Sequence, residues 1–355
     1  ITRRLFFMIS KWLKHISATR LIALSFLIVI LSGSILLCLP CSSKSGEWTG
    51  FTDAFFTATS ATCVTGLVVF DTFSHWSLFG QLIILLMIQI GGIGLMTIII
   101  MLFIFLKRKI SLHERLLLMQ SAGTVRISGM VKLVKRIVKG TLICEGVGAL
   151  FLAVRFIPQM GLLTGSYYAV FHSVSAFCNA GFDLMGRFEH FSSLTAYEQD
   201  PVVNITIMLL IIVGGIGFLV WDEIVRYGVH FGKYSLHAKI VLSTTAFLVL
   251  SGTIGFFIFE YHGNLEELSL SNKLLSSAFM SVTTRTAGFN TMDTATLSES
   301  GSLLSMILMF IGGSPGSTAG GIKTSTLAVV FFATVSMSKG RNEITLFKRS
   351  LRADM

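Results

Sequence analysis

The sequence predicts an all-α integral membrane protein in which one unit, a helix, a re-entrant half-helix with its loop and a second helix, is repeated three times. Three observations carry this expectation. Hydrophobic residues make up 53% of the 355 and charged residues only 13%, with a mean hydropathy of +0.77, whereas ordinary soluble domains carry about 25% charged residues. Six stretches, 21–40, 80–106, 140–158, 201–221, 240–260 and 302–337, are long enough to supply the roughly 20 apolar residues that cross a bilayer as helix. Between them, a short apolar segment followed by a small residue, a glycine and a large apolar residue recurs three times, and such an internal repeat has to be recognised before any other argument about fold.

The first unit occupies residues 1–110, with an outward helix at 20–40, a half-helix at 48–63, a loop at 63–67 and an inward helix at 74–108. Its first apolar run is too long for a cleaved signal peptide and leads into Pro40-Cys41-Ser42-Ser43 in place of an A-x-A site. The half-helix, WTGFTDAFFTATSATC, is too short to span and is followed by Thr65-Gly66-Leu67. The second unit, 111–230, repeats the order: a helix at 135–158, the half-helix SYYAVFHSVSAFC at 166–178, a loop at 178–182 containing Ala180-Gly181-Phe182, and a helix at 201–227. The third, 231–340, has a helix at 238–260, the half-helix NKLLSSAFMSVTT at 272–284, a loop at 285–289 containing Ala287-Gly288-Phe289, and an inward helix at 300–338 interrupted at 312–324. Each inward helix carries a double glycine, Gly91-Gly92, Gly214-Gly215 and Gly312-Gly313, lying 25, 33 and 24 residues beyond the loop glycine. Residues 341–355 read as the start of a linker to a further unit. The chain opens on Ile1 and stops after that linker, so it is expected to be part of a longer protein.

Alternating sides along this order gathers 22 of the 28 Lys and Arg on one face, including Lys107-Arg108-Lys109 and the cluster Lys132, Lys135, Arg136 and Lys139. By the positive-inside rule that face, with the N-terminus, is cytoplasmic, in a multi-pass protein of the cell membrane surrounded by lipid. The net charge of +10 is thus topological and calls for no nucleic-acid partner. The five cysteines contain no CxxC pair and are expected to pack rather than to build a zinc site or disulfide framework.

Non-helical backbone at membrane depth is tolerated only where it is buried in protein or lines a water-filled cavity, so three loops entering from one side imply a shared cavity. The glycine after each half-helix adopts backbone angles closed to other residues. Carbonyls can then face a common axis and replace the water shell of a cation. The loops proper carry no acidic side chain, Asp71 and Asp183 lying just beyond them, which favours a monovalent, weakly held ion.

The segments TCVTGL, SAFCNAGFD and TTRTAGFN, with GGIG at 91–94 and 214–217, resemble the pore loops of the Trk/Ktr/HKT superfamily of potassium transporters, in particular the bacterial Ktr-type membrane subunit. The resemblance covers nearly the whole chain. It implies M1-P-M2 repeats around a central pore, with three of the expected four present here, in a homodimer regulated by a cytoplasmic RCK-type ring that carries the nucleotide. It also implies a K+ selectivity filter of backbone carbonyls at Cys63, Val64, Thr65 and Gly66, at Cys178, Asn179, Ala180 and Gly181, and at Arg285, Thr286, Ala287 and Gly288. K+ is then the transported ion and Na+ a candidate coupling ion, and glycine at each loop position, Gly66 included, accompanies K+ preference in the family. The family's fourth filter glycine, and the pore-facing arginine of its fourth inward helix, have no counterpart in this sequence.

The stretch IGGSPGSTAGGIKTST at 311–326 is one residue away from a phosphate-binding P-loop, because Ile322 intervenes between Gly321 and Lys323-Thr324. A P-loop follows a buried strand in a soluble α/β domain; here apolar SLLSMILMF precedes and LAVVFFATVSM follows. Pro315 removes a helical donor, so the helix is expected to break mid-membrane. The resemblance places the family's intramembrane gate at this break, over Gly312, Gly313, Ser314, Pro315, Gly316, Ser317, Thr318, Ala319, Gly320, Gly321, Lys323 and Thr324. Lys323 is read either as a charge beside the ion path or as an anchor of the loop, with Glu145 as a candidate partner, as a cavity residue or as a residue packed on a hydroxyl. Arg285 is expected to support its loop, His172 to be a satisfied core histidine, and Asp222 and Glu223 to be a solvated helix end or a contact for a regulatory subunit. Two other classes stay open: a membrane-bound nucleotide hydrolase using the 316–323 loop, and a non-conducting assembly subunit.

Overall fold

The computed structural model describes residues 18–94, 97, 98, 101, 130–339, 344–346 and 349–351. Helix α1 (Ala18–Cys38) leads to α2 (Phe51–Cys63) and, past a single turn at Thr72–His75, to α3 (Leu78–Ile93). There follow α4 (Met130–Met160), α5 (Leu162–Phe177), α6 (Pro201–Gly215), α7 (Phe218–Tyr227), α8 (Leu236–Phe259), α9 (Leu270–Thr283), α10 (Glu299–Phe310) and α11 (Thr324–Ser338). Segment 341–355, read from the sequence as a linker, carries a short antiparallel ribbon of β1 (Ile344–Leu346) and β2 (Arg349–Leu351).

Side-chain caps fix where the helices begin. The hydroxyls of Ser77, Ser235, Ser269 and Ser298 accept from the N–H groups of Gly80, Ala238, Asn272 and Gly301, and the Asp200 carboxylate accepts from Val202 and Val203 with Pro201 at the first turn. Each such cap contributes about 1 kcal/mol by satisfying an N–H that has no partner within the helix. Helices α1, α4 and α8 are long and apolar enough to cross a bilayer, whereas α3, α10 and α11 are apolar but shorter. The half-helices α2, α5 and α9, of 13, 16 and 14 residues, each pack against the long helix before them: α2 on α1, α5 on α4, α9 on α8. Exposed Ile28, Leu150 and Phe247 cover the outside, while Trp76, Phe156, Phe171, Phe177, Phe182 and Phe289 are fully buried in the main core. The apolar exterior is what a bilayer, rather than water, stabilises.

Two inward helices differ from expectation. The first, expected over 74–108, breaks at Gly94, which takes φ 88°, a region that favours glycine; helical residues recur at 97, 98 and 101, and 102–108 lie outside the described residues. The second, expected to run unbroken over 201–227, is two helices: α6 and α7 meet at 101°. Gly217, with φ 93°, turns the chain between them. The third breaks as expected, between Phe310 and Thr324. The basic segments at 1–17 and 102–129, on which much of the charge topology rests, lie outside the described residues.

Candidate functional site

The three half-helices end in the same way. Two residues before each loop glycine the backbone turns left-handed, at Val64 (φ 57°), Asn179 (φ 58°) and Thr286 (φ 69°). The glycines follow with φ 76° at Gly66, 71° at Gly181 and 86° at Gly288. A left-handed Val or Thr is strained, and such strain persists only where the surroundings over-determine it. Here the half-helix itself supplies a tie: Thr65 N–H donates to Ser60 O at 2.9 Å, Ala180 N–H to Ser175 O at 2.8 Å and Ala287 N–H to Thr283 O at 2.9 Å.

These loops meet in sequence order. A Cβ added to Gly66 would lie 2.8 Å from the carbonyl oxygen of Ala180, and one added to Gly181 would lie 2.5 Å from that of Ala287. Gly288 in turn lies against Gly181, a Cβ on it coming 3.4 Å from the Gly181 Cα. Gly66 and Gly181 are therefore required twice over, for their backbone angles and because the neighbouring loop leaves no room for a side chain, and Gly288 for its backbone angle. The structure thus brings together Gly66, the Ala180-Gly181 pair and the Ala287-Gly288 pair of the three loops.

The packing around the loops explains the double glycines of the first two inward helices. A Cβ on Gly91 would fall 2.0 Å from Thr62 O, one on Gly214 1.9 Å from Phe177 O, and one on Gly92 2.5 Å from the Cys178 Sγ. Removing the side chain lets the inward helix lie directly against the carbonyl end of its half-helix. The exits of the loops are pinned as well. His172, fully buried, donates from Nδ1 to Tyr168 O at 2.8 Å and accepts at Nε2 from Leu184 N–H at 3.3 Å; both ring nitrogens are occupied, as the sequence suggested. Asn290 N–H donates to the Ser193 Oγ at 3.0 Å, and Leu194 N–H to Asn290 O at 2.8 Å.

Segment 311–323 folds back on itself beside the loops. Gly312 N–H donates to Ile322 O (3.0 Å), Gly313 N–H to Gly320 O (3.1 Å), Ile322 N–H to Phe310 O (3.2 Å) and Thr324 N–H to Gly313 O (3.1 Å). Ser314 and Thr324 hydroxyls meet at 2.9 Å. It also docks on the bend of the second inward helix: Ser314 N–H donates to Gly215 O (2.9 Å), Thr318 N–H to Gly214 O (3.2 Å), and Phe218 N–H to Gly316 O (2.8 Å). The N–H groups of Gly312, Gly313, Ser314, Thr318, Ile322 and Thr324 are thus spent inside the fold rather than aimed at a phosphate. Lys323 donates from Nζ to Ala319 O at 2.8 Å, so its ammonium caps its own loop.

Several expectations on single residues are corrected. Glu145 is no partner of Lys323: both its carboxylate oxygens accept from the Gln89 side chain, at 2.9 and 3.1 Å. The hydroxyl beside it, Ser173, bonds to its backbone oxygen (2.6 Å). Arg285 is 6% exposed and its Nε has no hydrogen-bond partner among the described residues. Asp222 pairs with Arg136 and Arg226, and Glu223 accepts from Ser235 N–H at 2.8 Å, so neither is free. Gln89, whose Oε1 also stands 3.8 Å from the Cys178 Sγ, was missed by the sequence reasoning; a glutamine in the otherwise apolar run of α3 was the available signal.

Beyond the second loop, between α5 and α6, Asp183 keeps some surface open, yet close packing and then the nearby Asp71 push its carboxyl up to about 7. Asp71 itself accepts from Ser74 N–H (2.8 Å) and Phe191 N–H (3.2 Å). Among the described residues no group of His, Cys, Asp and Glu has the arrangement of a metal centre.

Residues 13–354 match the family model described as TrkH, cation transport protein. The chain is 44% identical over 340 residues to the potassium/sodium uptake protein NtpJ of Enterococcus hirae, covering 96% of this chain and 74% of that one. It is 40% identical over 337 residues to the Ktr system potassium uptake protein B of Vibrio alginolyticus, covering 94% and 72%. The protein of the same title from Bacillus subtilis is 39% identical over 345 residues, covering 96% and 75%. In fold it resembles the crystal structure of the potassium transporter TrkH from Vibrio parahaemolyticus, with a TM-score of 0.66 at 19% identity, over 89% of this chain and 62% of that chain. This chain therefore spans less than two thirds of that structure's length. The chain belongs to the TrkH family of cation transport proteins, a family of transporters and not of enzymes.

Proposed function

We propose that the chain is the ion-translocating subunit of a potassium uptake system of the cell membrane, built from M1-P-M2 units at 1–110, 111–230 and 231–340. In this reading dehydrated K+ is held by backbone carbonyls of residues 63–66, 178–181 and 285–288, and segment 312–324 is the gate beneath them. The observation that carries it is the meeting of three left-handed turns and three glycines, each glycine within contact of a neighbouring loop. Carbonyl cages of this kind substitute for the hydration shell of a monovalent cation. The names of the relatives, potassium/sodium uptake protein and Ktr system potassium uptake protein, support K+ as the transported ion and keep Na+ as coupling ion. The word system in the second fits a multi-component assembly; a homodimer on a cytoplasmic nucleotide-binding ring, with the N-terminus on that side, is the arrangement proposed here.

Two observations weigh against the other classes. The N–H groups of Gly312, Gly313, Ser314, Thr318, Ile322 and Thr324 are engaged by backbone carbonyls and the Lys323 ammonium by Ala319 O, which disfavours phosphate binding and a hydrolase. The strained loop turns would have no purpose in a non-conducting assembly subunit. The test is expression of the full-length protein in a strain lacking potassium uptake, with growth at limiting K+ and Rb+ influx as readouts. Rescue with influx is expected; protein present in the membrane without either would overturn the proposal.

A further inference from the structure

Thr318 stands where four elements converge. Its Oγ1 accepts from the Asn179 Nδ2 at 2.8 Å and donates to Phe177 O at 3.0 Å, while its N–H donates to Gly214 O at 3.2 Å. One hydroxyl thereby joins the 311–323 loop to the carbonyl end of the half-helix α5 and to the left-handed residue that shapes the second glycine loop. The other contacts of Asn179 Nδ2, to Phe177 O and Ile211 O, are longer, at 3.4 and 3.5 Å. Thr318 and Asn179 are 6% and 1% exposed, so water is poorly placed to replace either bond. Gly214 makes the junction possible: a Cβ there would lie 1.9 Å from Phe177 O, 2.8 Å from the Thr318 Oγ1 and 3.0 Å from the Asn179 Nδ2.

We infer that Thr318 is a positioning residue that couples the intramembrane loop to the ion preference of the second glycine loop, by way of Asn179 and the Phe177 carbonyl. The inference rests on the transport reading given above. When the loop swings out of the pathway its hydroxyl leaves with it, and Asn179 loses the bond that holds its left-handed turn against the end of α5. The carbonyls of residues 178–181 are then free to relax. Gate position and filter shape are two readings of one equilibrium, and coupling of this sort is reciprocal: an ion seated among those carbonyls steadies Asn179 and so favours the docked loop.

The test uses the full-length transporter with its regulatory partner and compares Thr318→Val, which keeps the shape and loses the hydroxyl, with Thr318→Ser, which keeps the hydroxyl. Unstimulated Rb+ influx and the ratio of K+ to Na+ as competitors are measured together. Two hydrogen bonds of ordinary net strength shift a gate equilibrium by about thirtyfold, so T318V is expected to raise unstimulated influx by about that factor and to lower the K+ to Na+ preference. T318S is expected to match the wild type in both. A T318V transporter with wild-type preference overturns the coupling whatever its rate. If T318V does not accumulate, Thr318→Ala serves in its place; if neither accumulates while T318S does, the hydroxyl is structural and the coupling is likewise overturned. Wild-type protein that takes up no Rb+ defeats the transport reading instead, so the two failures are distinct.

Discussion

Gly181 is the position at which a single methyl group is expected to do most damage. In Gly181→Ala the new Cβ would stand 2.5 Å from the Ala287 carbonyl oxygen, and restoring ordinary contact near 3.4 Å requires the two loops to part by about 0.9 Å. The opposing atom is backbone, so no rotamer change relieves it. Holding alanine at φ 71° adds about 1–2 kcal/mol, and the overpacking another 1–3 kcal/mol or so, which a protein of this size survives while the loop spacing does not. Gly46 is the control: it has φ 72° but nothing within 4 Å of its Cβ position, so Gly46→Ala carries the backbone penalty alone. Between them the series is graded, since a Cβ on Gly66 meets Ala180 O at 2.8 Å and one on Gly288 meets only the Gly181 Cα at 3.4 Å. In the full-length protein, Rb+ influx with Na+ as competitor should fall in K+ preference in the order G181A, G66A, G288A, with G46A unchanged, while the melting temperature in detergent drops by similar amounts in G46A and G288A. Wild-type preference in G181A, or loss of preference in G46A, would refute the argument that loop spacing sets selectivity.

Other outcomes follow from the same geometry. His172→Phe leaves Leu184 N–H without its acceptor, and the melting temperature should report a loss of about 1–3 kcal/mol. Glu145→Leu strands the Gln89 amide at a similar penalty, which the double change Glu145→Leu with Gln89→Leu should largely recover because both polar groups are then gone. For Lys323, whose Nζ holds Ala319 O, Lys323→Gln keeps a donor and should gate as the wild type does, whereas Lys323→Met should raise unstimulated influx; equal gating defects in both would assign the effect to charge. The Asp183 carboxyl, raised to about 7 from 3.8 by its packing, bears its charge only above that value. Apparent K+ affinity should therefore weaken as outside pH falls through about 7 and lose that dependence in Asp183→Asn, and stability should fall as pH rises from about 4 to about 7, because in that range the folded form holds a proton that the unfolded chain has released.

The sequence made most of the backbone legible and little of the wiring. Long apolar runs located α1, α4 and α8, and the three glycines located the loops, because hydrophobic length and left-handed turns are local properties. The 101° bend between α6 and α7 stayed hidden: residues on both sides are apolar, and a glycine pair serves helix packing as readily as it serves a break. Asp222 reads as a solvated terminus until Arg136, 86 positions away, is seen to reach it. Gln89 and Glu145, 56 positions apart, are each anomalous in an apolar helix, yet nothing in either neighbourhood names the other. Partners distant in sequence are what folding adds, and they decide whether a buried polar group is a ligand or a tie.

The three double glycines, alike in sequence, turn out to be different in physics, and the difference bears on how a gate could arise. Gly91 and Gly214 each lie against the carbonyl one residue before the end of a loop's cysteine, Thr62 O before Cys63 and Phe177 O before Cys178. Their lack of a side chain seats the inward helix on its half-helix. Gly312 instead faces Gly320 O, at 1.9 Å from its Cβ position, and Gly313 faces Ala319 and Gly215 O. In the third unit the close approach is made by the chain to itself, so the helix leaves its path and the excursion comes to rest on the glycines of the second unit. Gly214 and Gly215 thus serve two neighbours, one fixed and one docked only through hydrogen bonds of 2.8 to 3.2 Å. On the transport reading proposed above, a contact surface of bare backbone suits a small-residue loop that has to close a path and leave it without repacking any large side chain. That is the property a gate needs, and substituting alanine at Gly215, where a Cβ would meet only Ala319 at 3.9 Å, should leave it intact while the same change at Gly214 should not.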